Sequence, residues 1–109
     1  MTLNALRTKA KSAFLAGVKA ADPAIALQHA LEKQPLTALK DGKYIIIAVG
    51  KAACKMAQSA INALPVEGDF SAIAVTNYEN VVDIESCRVF GAAHPVPDAN
   101  GQTAANEVI

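Results

Sequence analysis

Three polar clusters in this chain have the residue types for chemistry, and each follows an apolar run. Gly50-Lys51 comes after Tyr44-Ile45-Ile46-Ile47-Ala48-Val49, Thr76-Asn77 closes a run from Phe70, and His94-Pro95-Val96-Pro97-Asp98 follows Cys87 to Ala93. A glycine lets a ligand approach the backbone, and a lysine adds a full positive charge. At a helix start they join unpaired N–H groups and the positive end of the helix dipole, which suits a phosphate or a carboxylate. A plain helix start with a solvated lysine is the simpler alternative. His94 has the neutral-range titration of a proton carrier or ligand donor, or it is a histidine hydrogen-bonded within a rigid proline-rich loop. Asp98 reads first as a helix cap, and Thr76 and Asn77 donate hydrogen bonds to a ligand or to their own loop. His29 falls inside a helical stretch and carries no functional signal.

Several familiar chemistries are excluded. A Walker A loop needs a glycine five residues before its Gly-Lys and a Ser or Thr after it, and Ile45 and Ala52 stand there. A dinucleotide fingerprint needs three spaced glycines, and only Gly50 is present at the turn. No Cys/His cluster has metal-ligand spacing, and no nucleophile stands at a recognisable elbow beside a base.

The elements that must carry these clusters read in order. Leu3, Leu6, Ala10, Ala13, Phe14, Gly17, Val18 and Ala21 recur at three- and four-residue steps, predicting an amphipathic surface helix over about residues 3–20. This start is basic and acid-poor up to Asp22, which also fits a transit peptide, though a surface helix explains its apolar face better. Asp22-Pro23 is an N-cap followed by a first-turn proline, predicting a second helix to about Lys33. Pro35 ends it, and Leu36 to Lys43 is a connector with Asp41-Gly42 as its turn.

Tyr44 to Val49 is a strand whose apolar run does not alternate, so both of its faces are expected to be covered, as in a parallel sheet flanked by helices. A helix closed by Pro65 and a strand from Phe70 to Thr76 complete a βαβ unit. Asn77 to Glu85 is a polar loop, Cys87 to Ala93 a third strand, and Ala99 to Ile109 a helix capped by Asp98. All three polar clusters then fall at the carboxyl ends of the strands, where open α/β sheets bind ligands. The chain stops on Val108-Ile109 without a C-cap, which reads as the N-terminal piece of a longer protein.

The 109 residues allow one domain. Ten basic and ten acidic residues cancel, so nucleic acid and anionic membranes are not expected as partners, and no apolar run is long enough to span a bilayer. Cys54 and Cys87 lack CxxC spacing and read as small buried hydrophobes in a reducing cytoplasm, the expected location.

The residues also carry a resemblance. Ala48-Val49-Gly50-Lys51-Ala52-Ala53, with Met56-Ala57 beyond it, resembles the first glycine-lysine turn of the class II glycerate kinases. Ala92-Ala93-His94-Pro95-Val96-Pro97-Asp98-Ala99-Asn100-Gly101 is similar to that family's His-Pro-x-Pro-Asp-x-x-Gly motif, and Val75-Thr76-Asn77-Tyr78 lies between them in the family's order. The resemblance implies a Rossmann-like three-layer α/β/α fold with a parallel sheet, preceded by a helical pair. Residues 1–109 would be the N-terminal part of the larger domain, truncated and without the smaller C-terminal domain. It implies ATP-dependent phosphorylation of D-glycerate to 2-phosphoglycerate, with ATP and a divalent metal (Mg2+) whose ligands lie outside this segment. Glycerate and nucleotide are then the partners, with room for a homo-oligomer.

By the same resemblance Lys51 is the electrostatic clamp and the catalytic candidate. Gly50, Lys51, Ala52, Thr76, His94 and Asp98 form the substrate- and phosphate-binding set. Many members have a glycine and a histidine where this chain has Glu79-Asn80, so those two stay outside the set. Two other readings remain: an NAD(P)H-dependent hydroxypyruvate reductase, since members often carry that label, and a non-catalytic α/β module.

Overall fold

A computed structural model describes residues 1–37 and 40–109. Helix α1 runs Leu3–Ala20, with the Thr2 hydroxyl accepting from the Ala5 N–H at 3.1 Å. It buries none of its residues, and Leu6, Phe14 and Val18 are exposed. Helix α2, Pro23–Lys33, is started by Asp22, whose carboxylate accepts from the Ala24 N–H at 2.8 Å, and by proline in its first turn. Of the expected connector, Ala38 and Leu39 lie outside the described residues.

Strand β1 is Tyr44–Val49, helix α3 Ala53–Ala63, strand β2 Phe70–Asn77, strand β3 Arg88–Ala92 and helix α4 Ala99–Val108. The three strands form an open parallel sheet in the order β1-β2-β3. The fold is thus an α/β fold, with every expected helix and strand in place. A 3-10 turn, Tyr78–Asn80, opens the loop expected to be irregular.

Register explains which face each helix covers. Ile46, Ala48, Ala74 and Val89 share one face and pack with Ala53, Cys54, Ala57 and Ile61 of α3 and with Ile84. Ala57 and Ala74 are completely buried. With only methyl groups at the contact, the helix axis can approach the sheet closely. Arg88 aligns with Ile73 on the opposite face and pairs with Glu107 of α4, so α4 lies across the sheet from α3.

One expectation needs correcting here. Both faces of β1 were expected to be covered, but Ile45, Ile47 and Val49 are 71%, 53% and 70% exposed. Strand β1 is an edge strand, α3 takes its other face, and α4 sits over β3 at the far side. A groove of about 300 Å³, lined by Ile45 and Ile47 and by Glu107 and Val108 of α4, stands open at this face.

Helix α2 is held to α3 by packing and by an ion pair, Lys55 Nζ to Asp22 Oδ2 at 3.0 Å. The Lys55 ammonium, helped by the Ala24 N–H, lowers the Asp22 carboxyl from its ordinary value. A lowered carboxyl contributes stability above its unfolded value, and this is lost as pH falls through the folded value. The expected outcome is a modest loss of stability between about pH 5 and pH 2 that is shallower in Asp22→Asn, where the cap survives without the charge. Urea melts of both proteins across that window check it, and parallel curves would remove the pair from the account.

Candidate functional site

Parallel pairing brings the ends of all three strands to one edge. Val49 pairs with Val75, and Asn77 with Ala92, so the segments that follow start side by side. Gly50, Lys51, Thr76, Asn77, Ala93 and His94 line a cleft of about 190 Å³ there. A larger groove, about 460 Å³, lies between α2 and α3 and is lined by Leu27, Leu31, Ser59 and Asn62 among others. It holds no cationic side chain, so the smaller cleft is the better anion site.

Gly50 turns the chain out of β1 at φ +124°, in the region that favours glycine. Its N–H donates to the Val75 carbonyl at 3.0 Å, fixing the turn to β2. The helix begins later than the motif implied: α3 starts at Ala53, and Gly50 to Ala52 form the turn before it. Its N-cap is Ala52, which has no side chain to accept a hydrogen bond, so among the described residues no side chain caps the first turn. The Ala53 N–H donates to the Gly50 carbonyl at 3.2 Å, and the remaining first-turn N–H groups are left for solvent or an anion. Lys51 is exposed beside them. Ala52 lies on the α3 side of the turn, in a hollow shared with Ala53 and Met56, and does not line the cleft itself.

Thr76 is almost fully buried, and its hydroxyl donates to Asn77 Oδ1 at 3.2 Å. That oxygen also accepts from Asn80 Nδ2 at 2.8 Å, and Asn80 reaches the Lys51 carbonyl at 3.4 Å. The Asn77 amide donates to Glu79. The Glu79 backbone N–H and the Asn77 amide lower its carboxyl, with smaller contributions from the charges of His94 and Lys51. His94 is exposed at the opposite lip, and its bond to Pro95 is cis.

Asp98 does not line the cleft. Its Oδ1 accepts from the Gly101 N–H at 3.0 Å and the Ala93 N–H at 3.3 Å, while Oδ2 accepts from the Tyr78 hydroxyl. The Tyr78 hydrogen bond leads in lowering the Asp98 carboxyl, and the same bond raises the Tyr78 phenol.

The structure therefore brings Gly50, Lys51, Thr76 and His94 to one cleft and leaves Ala52 and Asp98 beside it. Residue order alone leaves Glu79 and Asn80 outside the set and gives Tyr78 no role, yet Asn80 and Glu79 hydrogen-bond Asn77 in the cleft wall and Tyr78 holds Asp98 beside it. The polar residues directly after a strand end were the available signal. Among the described residues no group of three His, Cys, Asp or Glu side chains could hold a metal ion. No helix among them is long and apolar enough to cross a membrane.

With this geometry in hand, similarity to known proteins decides the family. Residues 9–109 match the family described as a domain of unknown function, DUF4147. The chain belongs to it. A glycerate 2-kinase of Pyrococcus horikoshii is 33% identical over 99 residues, covering 84% of this chain and 22% of that protein. An Agrobacterium vitis protein provisionally named a hydroxypyruvate reductase is 35% identical over 95 residues, covering 87% of this chain and 20% of its own length. The crystal structure of glycerate kinase from Thermotoga maritima superposes with a TM-score of 0.79 at 29% identity, over 96% of this chain and 24% of that one. This DUF4147 chain thus spans about a fifth to a quarter of the relatives it matches.

Gly50 is testable by itself. A Cβ there would meet nothing within 4 Å, so the cost of Gly50→Ala comes from its φ of +124° alone. The variant is expected to lose about 1–2 kcal/mol of stability, read as a lower urea midpoint. An unchanged midpoint would show that the turn relaxes without strain.

Proposed function

We propose that this chain supplies one wall of the phosphoryl-transfer cleft of a glycerate 2-kinase, which uses ATP and a divalent metal to convert D-glycerate to 2-phosphoglycerate. The observation that carries the reading is the Gly50-Lys51 turn before an uncapped helix, facing His94 across a cleft at the strand ends. The resemblance to proteins named glycerate kinase supplies the substrate. Phosphoryl transfer asks mainly for positioning and for neutralisation of charge on phosphate oxygens. Lys51 and the first-turn N–H groups of α3 offer fixed positive charge to a phosphate or to the glycerate carboxylate. His94, at the other lip, orients or hydrogen-bonds the substrate. A divalent metal needs ligands beyond those the described residues bring together. The segment alone is expected to be inactive, and the activity belongs to the whole protein that carries it, in the cytoplasm.

The reductase is the second reading, favoured by the name of the Agrobacterium vitis relative. The single glycine at the first turn of the β1-α3-β2 unit weighs against a dinucleotide on this chain. Two assays separate the readings. The whole protein with ATP and D-glycerate is expected to form ADP, and with NADH and hydroxypyruvate it is expected to consume no NADH. NADH loss without ADP formation reverses the assignment.

Lys51→Ala in the whole protein is expected to lower kcat/KM for glycerate phosphorylation by about 10²-fold or more, with the circular dichroism spectrum unchanged. Near-normal turnover would remove Lys51 as the clamp.

A further inference from the structure

The two lips of the cleft come from different strands, and backbone pairing between β2 and β3 ends at Asn77 and Ala92. Beyond that point the relation of Lys51 to His94 depends on side chains. The 3-10 turn Tyr78–Asn80 touches both lips. On one side Asn80 reaches the Lys51 carbonyl. On the other the Tyr78 hydroxyl donates to Asp98 and accepts from Asn100 Nδ2 at 3.0 Å. The Tyr78 ring lies against Gly91, where an added Cβ would come within 2.8 Å of ring carbon Cδ1. A glycine in a strand interior is otherwise unfavourable, and here its missing side chain is what admits the ring. Asp98 passes the connection on: its other oxygen holds the Ala93 N–H, next to His94.

We infer that Tyr78 is a positioning residue, a bridge whose hydroxyl ties the turn after β2 to the His94–Asp98 loop and thereby sets His94 opposite Lys51. Its effect on turnover rests on the kinase reading above, whereas its effect on the loop does not. The bridge joins residues 20 and 22 positions apart in sequence through a hydroxyl that a phenylalanine lacks. Tyr78→Phe therefore keeps the ring on Gly91 and removes only the bridge. Without it the His94 loop is held by its strand and by α4 alone, and the lips lose their common reference. Misplacement of a reacting group by a fraction of an ångström is felt in the transition state more than in ground-state binding.

Two measurements on wild-type and Tyr78→Phe whole protein test this. By NMR the Asp98 carboxyl is expected to titrate higher in the variant, because a hydrogen bond favouring its charged form is gone, and the His94 amide is expected to gain backbone mobility. In steady-state kinetics kcat for glycerate phosphorylation is expected to fall about tenfold, with KM for ATP and glycerate unchanged within about twofold and the melting temperature nearly unchanged. An unaltered Asp98 titration and an unaltered His94 amide overturn the bridge whether or not the protein is a kinase. A kinase whose kcat survives Tyr78→Phe, or whose loss follows a collapse in melting temperature, overturns the positioning role. If wild-type protein shows no kinase activity, the function proposed above fails, and the NMR pair alone decides the bridge.

Discussion

The close seating of α3 on the sheet is the constraint on which the rest of the structure depends. It is achieved with alanines, and no large side chain is fully buried at the contact. Small residues contribute little apolar area each, on the order of 25 cal/mol per Å² removed from water. Their value is geometric: a helix held close to parallel strands must leave β1 through a sharp turn. Gly50, at a positive φ, makes that turn and pins itself to Val75. The position of Lys51 follows from there.

Parallel topology then gathers chemistry at one edge. Each strand contributes a polar exit segment, and the pairings of Val49 with Val75 and Asn77 with Ala92 keep those exits level. The floor between them is a chain of short polar side chains, Thr76 to Asn77 to Asn80, with few rotatable bonds to immobilise. Such a network is satisfied internally and leaves Lys51 and His94 free to face a ligand. Of the acidic groups beside them, Glu79 is engaged by its own backbone and by Asn77, and Asp98 by Tyr78, Ala93 and Gly101.

Much of this was legible from residue order because the decisive signals are local. Asp22-Pro23 and Asp98 announce helix starts through capping chemistry, and Pro35 and Pro65 mark where helices cannot continue. Strand ends can be placed to within a residue or so because apolar runs give way to polar ones. The facing of β1 was not legible. Tyr44 to Val49 is apolar at every position, and which side is covered depends on where α4 lands, far away in sequence. The bridging of Tyr78 to Asp98 was equally hidden, since a tyrosine in a polar loop gives no sign of a partner 20 residues on. The start of α3 slipped for a simpler reason: Gly50 needs room to reverse direction, so helical geometry begins only at Ala53.

The uncovered side of β1 has a bearing on solubility. As the outermost strand, β1 pairs only with β2 among the described residues and presents a free row of backbone donors and acceptors. Open edges are commonly protected by a lysine, a proline or a bulge, and Tyr44-Ile45-Ile46-Ile47-Ala48-Val49 contains neither residue. A short uncharged, β-branched segment of this kind is also the composition that favours stacking into cross-β assemblies. Handled by itself at high concentration, the 109-residue chain would therefore offer a template for strand addition by its own copies. A charged residue placed at Ile45 or Ile47 is the substitution that would blunt it.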